Sequence, residues 1–65
     1  MTTVLIVDDE YLVRRGIRET IDWQSYGFEI VGEAANGIDG YEKYKELRPD
    51  IIITDVRMKR ATGLE

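Results

Sequence analysis

Val4-Leu5-Ile6-Val7 runs straight into Asp8-Asp9-Glu10, and Ile51-Ile52-Ile53-Thr54 runs into Asp55. Both apolar runs are continuous, with no alternation of polar residues. That is the pattern of a strand covered on both faces in a parallel sheet. An open parallel sheet binds its ligands at the carboxyl ends of its strands. If the two runs are neighbouring parallel strands, Asp8, Asp9 and Asp55 meet at one edge. Three crowded carboxylates repel one another, and a divalent cation among them relieves the repulsion.

Outward from these strands the chain alternates. A first strand is expected over about Thr3 to Val7 and a helix from Glu10 or Tyr11 to Trp23. Val13, Ile17 and Ile21 stand four apart with Leu12 beside them, forming one apolar stripe. Arg14, Arg15 and Arg18 fall on other faces and read as a solvated surface. Asp8 or Asp9 is a candidate cap for this helix. Gln24 to Gly27 is a loop in which Gly27 takes a left-handed turn. Phe28 to Ala34 reads as an edge strand. A second helix follows the turn Ala35-Asn36-Gly37, with Asn36 or Asp39 as cap. Ile38, Tyr41, Tyr44 and Leu47 line one of its faces, and Pro49 ends it near Arg48. A third strand spans Ile51 to Val56. The order β-α-β-α-β implies parallel strands with right-handed crossovers. Trp23, Phe28 and the four tyrosines read as packing residues.

Composition narrows the chemistry. A chain of 65 residues buries roughly 60% of its unfolded surface, which makes for one small, marginal domain. There is no cysteine and no histidine, so disulfides, zinc-thiolate sites and Ser-His or Cys-His nucleophiles are excluded. The available ligands are carboxylates and carbonyls, which suit magnesium, calcium or manganese. A net charge of −4 leaves no basic stripe for nucleic acid. No apolar run approaches a membrane span, and the first residues lack the pattern of a secretory signal. A cytoplasmic location is the expectation, with neither membrane nor nucleic acid bound by this segment.

Magnesium takes six oxygens and retains several waters. Two or three carboxylates and one backbone carbonyl would supply the protein's share. Asp55 would then serve as a nucleophile toward a phosphoryl donor.

The segments Val4-Leu-Ile-Val-Asp-Asp-Glu10, Gly32-Glu-Ala-Ala-Asn-Gly37 and Pro49-Asp-Ile-Ile-Ile-Thr-Asp-Val-Arg-Met58 resemble, in order and spacing, the response-regulator receiver domains of bacterial two-component systems. The resemblance spans essentially all of residues 1–65 and covers about the first half of such a domain. It implies a flavodoxin-like, doubly wound parallel sheet, truncated after its third strand. By the resemblance, Asp55 is the phosphoacceptor. Asp8 and Asp9, with Asp55 and the backbone carbonyl of Arg57, hold Mg2+. The donor is a sensor histidine kinase, and phosphorylation controls an output domain, a DNA-binding transcription regulator. The domain is a signalling phosphoacceptor and not an enzyme. Ile21-Asp-Trp-Gln-Ser-Tyr-Gly-Phe28 further resembles receivers joined to AraC-type helix-turn-helix outputs.

Several positions depart from the family pattern. Lys59 stands where proline is usual, and Ala61 and Thr62 precede Gly63 in place of a methionine and an Asp or Asn. Gly40 occupies a helical position where alanine is common, and Tyr41 and Tyr44 stand where aliphatics are usual. The family's fourth and fifth strands, with a Ser or Thr and a Lys that contact the phosphoryl group, are expected to be missing.

Other readings compete. Taken singly, Asp8-Asp9 is a helix cap with a solvated neighbour, and Asp55 a loop residue; two parallel strand ends together favour a site. An alternative function is a self-associating α/β module without phosphotransfer, a homodimer or swapped oligomer joined through the open third strand. An aspartate-dependent phosphatase ranks low, because that chemistry asks for a second aspartate where Arg57 stands.

Overall fold

In the computed structural model, which describes residues 1–54, the strand Thr2–Val7 (β1) lies at the centre of a three-stranded sheet. The helix Tyr11–Thr20 (α1) follows, then a 3-10 turn at Trp23–Tyr26 and the strand Phe28–Ala34 (β2). The helix Gly37–Leu47 (α2) leads to the strand Ile51–Thr54 (β3). The sheet order is β2-β1-β3, and both pairings are parallel. This is the α/β arrangement the alternation implies. The last residues expected in the third strand, Asp55 and Val56, lie outside the described residues.

Val4, Leu5 and Ile6 are wholly buried and Val7 nearly so, as expected for a strand flanked on both sides. Burying an aliphatic side chain of this size stabilises by about 1.5–3 kcal/mol. Leu5, Val7 and Ala34 form one cluster. On that face α2 comes close: a Cβ added to Gly40 would stand 3.1 Å from both γ-carbons of Val7. Glycine at this departure from the family pattern therefore serves close approach of helix to strand, at a cost of about 1 kcal/mol in helix propensity. Glu33, the register partner of Ile6, is engaged instead by α1. Because alternate side chains point to opposite faces, the two helices flank the sheet on opposite sides.

Several local expectations are corrected. α1 ends at Thr20, short of Trp23. Ile21 is extended (φ −107, ψ 133) and leaves the helix although it continues the four-residue spacing. No α1 residue is buried, and Leu12 is 75% exposed. Trp23 packs edge-on against Phe28 at 6.0 Å and donates its indole N–H to the carbonyl of Ile17. The tyrosines do not share in the core. Tyr11, Tyr26, Tyr41 and Tyr44 are exposed, and three of them lie against Arg14, Lys45 and Arg48. Gly27 is left-handed (φ 83), as expected. The register of β1 with β2 shifts between Val4 and Leu5: Val4 pairs with Ile30 and Leu5 with Gly32, leaving Val31 unmatched. The Asn36 side chain caps α2 by accepting from the Asp39 N–H at 2.8 Å.

β3 does not match the burial of β1. Ile51 and Ile52 are exposed and Ile53 is half-buried, because among the described residues β3 pairs on one side only.

Candidate functional site

The carboxyl ends of β1 and β3 come out level. Val7 pairs with Thr54, so the residues preceding Asp8 and Asp55 are register partners. The other end of the pair is clamped. The Asp50 carboxylate accepts from the Thr3 N–H at 2.8 Å and from the Thr3 hydroxyl at 3.1 Å, and the Asp50 N–H donates to the Thr3 carbonyl at 3.0 Å. The Thr3 N–H and then its hydroxyl hold the Asp50 carboxyl below its ordinary range. A one-residue slip would turn every β3 side chain to the other face, and this clamp opposes it.

Asp8 sits at the end of the buried strand and is itself only 6% exposed, whereas Asp9 and Glu10 are exposed. Its backbone N–H donates to the Ala34 carbonyl at 3.0 Å, extending the β1–β2 ladder by one residue. Its Oδ1 accepts from the Glu10 N–H at 2.9 Å, closing a tight turn into α1. The helix cap proper is Glu10, whose side chain makes no capping bond. Neither Asp8 nor Asp9 caps α1; Asp8 shapes the turn before it.

One carboxylate oxygen from each of Asp8, Asp9 and Glu10 lies within 4.8 Å of the others. Oxygens on opposite sides of a bound Mg2+ stand about 4.2 Å apart, so the cluster is near ligand spacing. A donor set of hard oxygens, one of them on a buried aspartate, fits magnesium or calcium and not a soft metal. Of the residues singled out from sequence, Asp8 and Asp9 are brought together here. Asp55 and Arg57 lie outside the described residues, as do Lys59, Ala61 and Thr62.

Three further residues attend the site. Glu10 joins the acidic group; the unbroken acidic run after the strand was its sequence signal. Arg14, read as part of a solvated face, is largely withdrawn from solvent. Its Nη1 donates to the Asp8 carbonyl at 2.6 Å and its Nε to Glu33 at 3.1 Å. Glu33 also meets Arg18 at 2.7 Å through its other oxygen. No local pattern announces this network, since Glu33 is 19 residues from Arg14.

A parallel α/β sheet with an acidic turn after its first strand defines the class, and comparison with known proteins gives the family. Residues 4–65 match the response regulator receiver domain. The chain belongs to that family, whose members are signalling domains of two-component systems. It is 42% identical, over its whole length, to the transcriptional regulatory protein YesN of Bacillus subtilis, and spans 18% of that relative. It is 44% identical over 62 residues to the chemotaxis protein CheY of Thermotoga maritima, covering 95% of this chain and 50% of that one. The receiver domain of AraT, a response regulator from Geobacillus stearothermophilus, superposes with a TM-score of 0.84 at 42% identity, over 91% of this chain and 46% of that one. The chain thus spans half or less of each of these proteins. Among the described residues no helix is long and apolar enough to cross a membrane.

Proposed function

We propose that Asp55 accepts a phosphoryl group from a sensor histidine kinase, beside a Mg2+ held by Asp8, Asp9, Asp55 and the backbone carbonyl of Arg57. Residues 1–65 would form the first part of a cytoplasmic receiver that controls a DNA-binding output domain, and the segment itself would bind neither nucleic acid nor membrane. The observation that carries this reading is the level register of the two strand ends, Val7 against Thr54, with Asp8 buried at the first of them.

In the reaction, a carboxylate oxygen of Asp55 forms a P–O bond as the donor's P–N bond breaks. The electron pair returns to the donor nitrogen, which takes up a proton. Asp8 and Asp9 orient the site through their carboxylates, and the turn that Asp8 closes onto the Glu10 N–H keeps them at the strand end. Mg2+, when bound, would supply charge neutralisation for the phosphoryl oxygens. The reading is tested in the full-length protein with a small phosphodonor. Labelling should require Mg2+ and vanish in Asp55→Asn; absence of any Asp55-dependent labelling would refute it.

A second reading rests on the exposed Ile51 and Ile52 of β3. An apolar strand edge is a template for pairing, and a second copy of this chain would fill it as a homodimer or swapped oligomer. Sedimentation at micromolar concentration decides: a mass above one chain supports association, and the mass of one chain excludes it.

A further inference from the structure

Arg14 occupies a position that helix electrostatics disfavours. It stands near the start of α1, where the exposed N–H groups already carry partial positive charge. Its side chain is nevertheless 86% removed from solvent, with 14% exposed. A guanidinium is withdrawn from water at such a place only when its donors are met. Here Nη1 is met by the Asp8 carbonyl and Nε by the Glu33 carboxylate, with the Tyr11 ring 5.7 Å from the guanidinium carbon.

The carbonyl it grips belongs to the peptide joining Asp8 to Asp9. A planar peptide has no internal rotation. Holding its oxygen therefore sets the rotation on both flanks, and with it the directions in which the two aspartates leave the backbone. The other Asp8 contacts act elsewhere: the N–H to Ala34 fixes the strand, and Oδ1 is taken by Glu10. Glu33 braces the guanidinium from β2, and Arg18 braces Glu33 at 2.7 Å. A strut thus runs from β2 through α1 to the acidic turn.

We propose that Arg14 is a positioning residue that presets the Asp8–Asp9 peptide for cation binding, with Glu33 as its brace. This rests on the Mg2+ reading of the acidic turn. The role opposes the direct effect of the charge, because a cation beside the turn repels Mg2+ at long range. The sign of the substitution effect therefore separates the two. Lysine keeps the charge but not the fork that meets Asp8 and Glu33 together.

The test is Mg2+ titration of the full-length protein, followed by NMR at the amides of Asp8, Asp9 and Glu10. The variants are Arg14→Lys, Arg14→Met and Glu33→Gln, with Arg15→Met, whose exposed pair with Glu19 touches no part of the turn, as control. Partners that orient metal ligands are typically worth 10–100-fold in affinity. We expect Arg14→Lys and Arg14→Met each to weaken Mg2+ binding about tenfold, Glu33→Gln to weaken it less, and Arg15→Met to leave it unchanged. Tighter binding in Arg14→Met with wild-type binding in Arg14→Lys would overturn the proposal and leave Arg14 as a charge alone. Equal losses in the Arg14 variants and Arg15→Met would overturn it as a general effect of helix stability. Should Arg14→Met fail to fold, Arg14→Lys against wild type decides. A wild-type protein that does not respond to Mg2+ removes the metal reading itself, an outcome distinct from a wild type that binds and variants that bind alike.

Discussion

β1 and β3 are written in nearly the same letters and meet different fates. Val4-Leu5-Ile6-Val7 is buried, with Leu5 at 0% exposure, while Ile52, the register partner of Leu5, is 45% exposed. The difference lies in neighbours. β1 has a strand on each side and α2 against Val7, whereas β3 pairs with β1 alone among the described residues. An apolar run states what a strand can tolerate being covered by, and the topology decides whether it is covered. The site shows the same division. Asp8 is buried because it ends the covered strand, while Asp9, one residue on, is exposed.

The largest effect should come from truncating the two register partners. Leu5→Ala leaves a cavity in the buried strand and is expected to cost roughly 2–5 kcal/mol, read as a lowered urea midpoint. In residues 1–65 taken alone, Ile52→Ala should cost less than about 1 kcal/mol, since half-exposed sites lose little. Comparable losses at both positions would break the comparison and indicate that β3 is covered in solution.

A smaller effect probes how tightly β1 is covered. Gly40→Ala gains about 1 kcal/mol of helix propensity but sets a Cβ at 3.1 Å from the Val7 γ-carbons. Combined with Val7→Ala, which removes those carbons, it should be less damaging than the sum of the single changes. A coupling of at least about 0.5 kcal/mol in the double-mutant cycle is expected, and strict additivity would contradict the close approach.

The smallest effect concerns the clamp that aligns the strands. The Asp50 carboxyl titrates below its ordinary value of 3.8, because the Thr3 N–H and hydroxyl favour its ionised form. A depressed native pKa contributes stability above the unfolded value and loses it as pH falls through the native one. The stability advantage of wild type over Asp50→Asn should therefore be constant near neutrality and shrink below about pH 4. A difference independent of pH down to acid unfolding would remove Asp50 from the register.

Much of this architecture is legible in the residues. Phe28–Ala34 is bounded as its punctuation by Gly27 and Ala35-Asn36-Gly37 implies, and Asn36 caps as its type predicts. The end of α1 was hidden, because Ile21 keeps the apolar spacing after the backbone has left the helix. The tyrosines misled because a ring with a polar end is equally at home beside a surface cation. The closeness of Asp8 and Asp9 at the end of β1 follows from their adjacency after the apolar run, whereas their use as a cap, the other reading of the pair, is excluded by Glu10 at the cap position. Arg14 and Glu33 were not legible as a pair, because their pairing crosses from a helix to a strand and leaves no local period.

As proposed, the two level strand ends build one Mg2+-dependent phosphoacceptor site. The most direct test of this proposal is NMR of the full-length protein with Mg2+ and beryllofluoride, a mimic of the phosphoryl group. Mg2+ alone is predicted to shift the amides of Asp8, Asp9 and Glu10; beryllofluoride is predicted to add further shifts there and at Asp55 that need Mg2+ and disappear in Asp55→Asn. No further shift on adding beryllofluoride, or the same further shifts in Asp55→Asn, would contradict it.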